Sequence, residues 1–183
     1  MSALTPAMLM MNPKMVVFPP TRPELLRIEY PSDYVQAKLA HLLPLAQAWY
    51  QQTEQELYSS GRALNPQEQV IALKLAVQAP EQVRVLVLDE FPLPKQEVLK
   101  QAATEFGFGT ESELARTIGS VILLKPSASH DPVVLQHELV HISQIERLGR
   151  AGFIERYLSE LFIVGYARAP LELEAYAKQY LDF

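Results

Sequence analysis

No cysteine occurs in the 183 residues, so a disulfide framework and every thiolate metal site are excluded. A transition metal would have to be held by His, Asp or Glu. Histidine is itself scarce: His41, His130, His137 and His141 are the whole supply. Positive charge is sparse too. The formal net charge is −5, with no Lys/Arg block, so nucleic acid is not an expected partner. No long apolar run is present either. ALTPAMLMM, near the start, is broken by Pro6 and has no basic segment before it. Neither a signal peptide nor a membrane span is expected, and a soluble cytoplasmic protein is the default. A chain of this length buries a core without staples, so a metal here would serve chemistry rather than folding.

Six prolines punctuate residues 1–31, which predicts a proline-rich extended N-terminal arm. Residues 32–183 then read as one domain. From Ser32, DYVQAKLAHLLPLAQAWYQQTEQELY is helix-like, with Pro44 bending or dividing it. Asn65-Pro66-Gln67-Glu68 opens a second helix with an N-cap, a proline at the first turn and a capping-box glutamate. VRVLVLDE at 83–90 and SVILL at 120–124 are the two expected strands. A helix from Pro94 to about Phe106 and a short one opened by Thr110 and Glu113 lie between them. A helix from about Pro132 should end at Gly149, another should close at Gly165, and Pro170 should open the last. The fold class is therefore α+β: mostly helical, with a small sheet beside the helix that carries HELVH.

That pentapeptide, residues 137–141, places two histidines four apart with a glutamate between them. Residues i and i+4 share one helix face, so His137 and His141 can present two imidazole nitrogens to one ion. Glu138 stands one step around the helix. From there it can take a proton from water activated by the metal and deliver it to a leaving amine. The plain alternative is a core helix whose histidines bond to backbone. Against it, at 100° steps only Gln136, Ser143 and Arg147 form a polar stripe, bordered by Glu146. A helix apolar on nearly every side is buried, and two buried histidines and a carboxylate need a partner that satisfies them.

A hydrolytic zinc ordinarily keeps three protein ligands and one open position. His130 lies in the turn-like SASHDP and His41 in the core-like pattern LAHLL, and no histidine follows His141. The third ligand must be a carboxylate. In the last helix, PLELEAYAKQYL, Glu172, Tyr176 and Gln179 align on one face flanked by Leu173 and Tyr180, whereas Glu174 lies opposite, one turn before Lys178. Glu172 is expected inward and Glu174 outward.

HELVH followed, after a helical hairpin, by the glutamate of ELEAY resembles the gluzincin class of zinc metallopeptidases, whose third ligand is a downstream glutamate. The wider run GSVILLKP, QHELVHISQ, RLG, GFIERYL and GYARAPLELEAYA is similar to small, mostly uncharacterised bacterial metallopeptidases. The likeness covers about residues 117–180. It implies a zincin-like fold, zinc held by His137, His141 and Glu172, and Glu138 as the base. The chain departs from many relatives in one respect: where they show E-x-x-x-D, Tyr176 follows Glu172. The resemblance also implies that SVILL lines the cleft and pairs with an extended substrate by strand addition, an interior strand being the plain alternative.

The expected function is zinc-dependent hydrolysis of a peptide or protein substrate, with Tyr166, Tyr176 and Tyr157, in that order, as candidate oxyanion donors. Two alternatives stand beside it. One is a latent or non-catalytic zinc protein whose cleft is occluded, the proline-rich arm being suited to lie in it. The other is a metal-dependent hydrolase of a non-peptide substrate.

Overall fold

The computed structural model describes residues 18–180, so residues 1–17 of the expected arm lie outside the described residues. The rest of that arm is not extended throughout. Arg22–Glu29 forms helix α1, because Thr21 and Glu24 build a cap in which the Glu24 carboxylate accepts from the Thr21 backbone N–H at 2.8 Å. Pro23 falls in the first turn, where a missing N–H costs nothing. Helix α2, Asp33–Tyr58, runs through Pro44 undivided. Ala40, whose carbonyl loses its ladder partner, lies on the exposed side where water can serve it.

Strand β1, Arg62–Ala63, leads into α3, Pro66–Lys74, which opens on the expected capping box at Asn65. Strand β2 is Arg84–Val87, α4 is Glu97–Glu105, β3 is Ala115–Ile118 and β4 is Val121–Leu124. The long α5, Pro132–Val164, and the short α6, Pro170–Lys178, complete the order. The strands form one mixed sheet in the order β1-β2-β4-β3. β2 runs parallel to β4, with α4 in the crossover, and β3 and β4 make an antiparallel hairpin. The α+β architecture is as expected. No helix among the described residues is long and apolar enough to cross a membrane.

The sheet differs from expectation in ways that matter for the site. No helix starts at Thr110. Instead Glu113 turns back to accept from the Gly109 N–H at 2.6 Å and pairs with Arg116 at 2.6 Å, so ARTI enters the sheet as β3. SVILL is consequently interior, flanked by β2 and β3, and does not line a cleft as an edge. The edge beside it is β3, and its four residues are buried. Helix α2 covers it, with the Tyr50 hydroxyl donating to the Thr117 carbonyl at 3.4 Å. Strand addition at this edge is blocked in the described conformation.

The hairpin turns at Gly119-Ser120. Gly119 has φ of 63°, and a Cβ there would stand 2.1 Å from Cδ of Glu54. Glu54 fills that gap, accepting from the Ser120 N–H at 2.9 Å, from its hydroxyl at 2.7 Å and from both Arg150 nitrogens. One carboxylate thus staples the hairpin to α2 and to α5.

Gly149 interrupts α5 rather than ending it, with φ 73° and ψ 155°. The bend is large. The rings of His141 and Phe153 lie 6.2 Å apart, whereas twelve residues of straight helix would separate them by about 18 Å. The second half of α5 therefore folds back toward the first.

Candidate metal and catalytic site

Helix α5 begins at Asp131, whose side chain accepts from the Val133 N–H at 2.9 Å, and Pro132 occupies its first turn. From Val134 to Ile145 every residue is buried. Leu135, Leu139, Val140 and Ile142 pack on Val85, Ile122 and Leu124 of the sheet. With that face on the sheet, His137 and His141 turn toward α6 and Glu138 toward β3.

Helix α6 carries Glu172 and is held at its start by a carboxylate from elsewhere. Ala169 cannot cap, so Glu160, itself wholly buried, accepts from the Leu171 N–H at 2.9 Å and from Arg156 at 2.6 Å. Burial pushes the Glu160 carboxyl upward, with the amide and Arg156 opposing.

The structure brings His137, His141 and Glu172 together, with one ligand atom from each inside a 4.8 Å span. The two Nε2 atoms are 3.2 Å apart; His137 Nε2 stands 3.2 Å from Glu172 Oε2 and His141 Nε2 3.4 Å from Oε1. A zinc tetrahedron with bonds of ~2.0–2.1 Å has edges of roughly 3.3–3.4 Å, so the two imidazole nitrogens, and each of them with its nearer Glu172 oxygen, stand at about that separation. All four residues of the site are nearly sealed: His137 is 0 % exposed, Glu172 1 %, Glu138 3 % and His141 7 %. Burial disfavours a charged His141, yet the Glu172 carboxylate beside it holds it up at about 9. Burial likewise works against ionised Glu172, but His141 and His137 drive it far below the usual carboxylate range. The protein has concentrated one negative charge on two nitrogen donors, the charge pattern a divalent cation satisfies.

Glu138 has a different neighbour. The Thr117 hydroxyl bonds Oε2 at 2.7 Å and also reaches the Glu138 carbonyl at 3.2 Å. Burial pushes the carboxyl upward, against the opposing pull of the histidines and Thr117.

The tyrosines divide in a way the sequence order did not anticipate. Tyr157 donates to Glu172 Oε1 at 2.6 Å, and both Tyr157 and Tyr166 line the cavity that opens beside Glu138. Burial, followed by the charge of Glu172, raises both phenols well above their ordinary range, so they act as neutral donors. Tyr176 is not in that cavity. Its ring backs His137 at 4.7 Å, and its hydroxyl is buried with no hydrogen-bond partner among the described residues. Tyr166 is close enough to affect its ionisation while outside hydrogen-bond geometry.

Glu174 is less outward than the helical wheel indicates. It pairs with Lys178 at 2.7 Å and Arg147 at 2.8 Å, and accepts from Gln144 at 3.1 Å. Tyr180 is half exposed, and His41 and His130 are both exposed, away from the cluster. The pattern LAHLL reads as a core or boundary position for His41, and the structure leaves it exposed. Two glutamines were missed as parts of the site: Gln179 faces His137 Nδ1 at 2.9 Å and Gln144 faces His141 Nδ1 at 2.8 Å. The signal for Gln179 was its alignment with Glu172; for Gln144 it was the i+3 spacing from His141.

Comparison of the chain with family models, with curated proteins and with solved structures found no match.

Proposed function

We propose that the protein is a zinc-dependent peptidase of the gluzincin kind, in which His137, His141 and Glu172 hold the ion and Glu138 is the general base. The observation that carries this reading is the convergence of two imidazole nitrogens 3.2 Å apart on the Glu172 carboxylate, one oxygen 3.2 Å from His137 and the other 3.4 Å from His141, together with a carboxylate next in line on the same helix. When bound, zinc would polarise a carbonyl and lower the pKa of a coordinated water.

The remaining work falls to the chain's own residues. Thr117 fixes one oxygen of Glu138, leaving the other to take a proton and return it to the leaving amine. The upward push of burial on Glu138 favours holding that proton between the two transfers. Tyr157 is committed to Glu172, so Tyr166 is the hydroxyl left to donate to a developing oxyanion.

The test is Glu138→Gln in zinc-loaded protein presented with an unbiased peptide library. Zinc should stay bound while hydrolysis falls on the order of 10²- to 10⁴-fold. Unchanged turnover, with contaminating protease excluded, removes Glu138 from the mechanism.

A second reading, a zinc protein with a closed site, draws support from the near-complete burial of the cluster and the covered edge of β3. It expects zinc binding in the wild type and no hydrolysis of any peptide in the library.

A further inference from the structure

One cavity reaches the candidate site, and its far wall is built by α2 and α4, from the part of the chain outside the zincin resemblance. It measures about 140 Å³ and touches Glu138, His141, Glu172 and Tyr166 at one end. Leu42, Ala46 and Trp49 of α2 and Leu99, Ala102 and Phe106 in and after α4 close the other. Two polar side chains along it, Arg116 and Tyr50, are already engaged. Arg116 donates to Glu113 at 2.6 and 2.7 Å and to the Pro92 carbonyl at 2.6 Å, with its guanidinium over Phe91 and Phe108. Tyr50 is spent on Thr117. A charged group pushed into this wall would lose water and find Arg116 and Tyr50 already taken, whereas an apolar group would lose nothing. An apolar protein cavity of about 150 Å³ stays dry and admits a benzene ring, so the volume here suits one large side chain and no more.

We infer that this cavity is the specificity pocket of the site, receiving one apolar side chain, aromatic or branched aliphatic, from the residue next to the bond that is cleaved. The inference rests on the peptidase reading and gives α2 and α4 a function: they replace a long binding groove with a single pocket. Ala46 and Ala102 are its determinants, because their small side chains leave the space. A substrate carrying Phe or Leu there should be preferred over one carrying Ala by roughly 10- to 200-fold.

The experiment has two arms. In metal-free protein, binding of isobutylbenzene is followed by calorimetry in the wild type, in Ala46→Leu, in Ala102→Leu and in Trp49→Ala, each first checked by circular dichroism. In zinc-loaded protein, the affinities of acetohydroxamate and 3-phenylpropanohydroxamate are compared. Isobutylbenzene should bind the wild type and Trp49→Ala and be lost from whichever filling variant folds. The phenyl hydroxamate should bind at least about tenfold more tightly than the acetyl one, with the ratio falling toward one in the filled pocket. No binding of isobutylbenzene to the wild type, or equal hydroxamate affinities, overturns the pocket. Isobutylbenzene binding with neither hydroxamate bound overturns the reading of an accessible metal site, and the pocket's catalytic role with it.

Discussion

Gln179 Oε1 stands 2.9 Å from Nδ1 of His137, and an amide oxygen can only accept. Nδ1 of that imidazole therefore carries a proton, which leaves Nε2, facing Glu172, as the nitrogen for a metal. Gln144 does the same for His141 and is itself oriented, donating to the Leu171 carbonyl at 2.9 Å and to Glu174. Both orienting groups are neutral, where many related sites use a carboxylate. Among the described residues, the negative charge in contact with the two Nε2 atoms is Glu172.

Replacing either amide by leucine should leave the fold intact and free the imidazole to rotate or change tautomer. Gln179→Leu and Gln144→Leu are each expected to weaken zinc binding by roughly 10- to 100-fold. Competition against a chromophoric chelator measures this. Wild-type affinity in both variants would show that packing alone orients the rings.

Glu172→Gln and Glu174→Gln separate ligand from support. Glu172→Gln removes the charge that faces both histidines, and zinc binding should fall far more than in either glutamine variant, since an amide oxygen is a poor ligand for zinc. Glu174→Gln loses ion pairs with Arg147 and Lys178 that are partly solvent-screened, about 0.2–1 kcal/mol for such pairs, and loosens Gln144. A small drop in zinc affinity, below that of Gln144→Leu, is expected. The reverse ranking of Glu172→Gln and Glu174→Gln in the same chelator assay would make Glu174 the ligand.

The HELVH helix was legible in the sequence because its evidence is local: an i,i+4 pair, an almost wholly apolar surround, and a proline and an aspartate to start it. The inward direction of Glu172 was legible for the same reason, from helical phase alone. What escaped depends on partners distant in the chain. Arg116 and Thr117 are unremarkable in a four-residue strand until Glu113, Pro92 and Glu138 satisfy them, so β3 could not be told from the short helix that Thr110 and Glu113 suggest. Arg22–Glu29 was read as extended from its proline content, although Thr21 and Glu24 carried a local cap signal that outweighs a proline in the first turn. The bend at Gly149 was read as a stop, because positive φ marks both; what distinguishes them is Phe153 and Tyr157 packing back on His141.

Gly119→Ala tests the staple at the hairpin. An alanine would have to hold φ near 63° and displace Glu54 from both Ser120 and Arg150. Left-handed backbone at a non-glycine residue costs roughly 1–3 kcal/mol, before the loss of the carboxylate's partners is counted. A urea midpoint lowered enough to account for at least about 1 kcal/mol is expected, with the unfolding slope unchanged. A midpoint within error of the wild type would mean that Glu54 can move aside freely and staples nothing.

The clasp between Glu24 and Arg168 should make the seating of α1 sensitive to acid. Arg168 donates to Glu24 at 2.9 and 2.7 Å and also reaches the Phe18 carbonyl, tying α1 to the turn that follows Gly165 and carries Tyr166. The Arg168 bond, followed by the Thr21 backbone and hydroxyl bonds, lowers the Glu24 carboxyl from 4.5 to about 2. A depressed folded pKa means that the released state takes up the proton more readily, so the clasp contributes in full above about 4.5 and is lost as pH falls toward about 2. Amide exchange of α1 should accordingly speed up, after correction for intrinsic rates, as pH is lowered through this window. Other ion pairs titrate in the same range, so the control is Glu24→Gln, in which α1 should exchange faster from the outset and show little further change. If α1 protection in the wild type is flat from neutral pH to about 2, or if Glu24→Gln retains the full pH dependence, the clasp does not hold the helix and the apolar packing of Ile28 does.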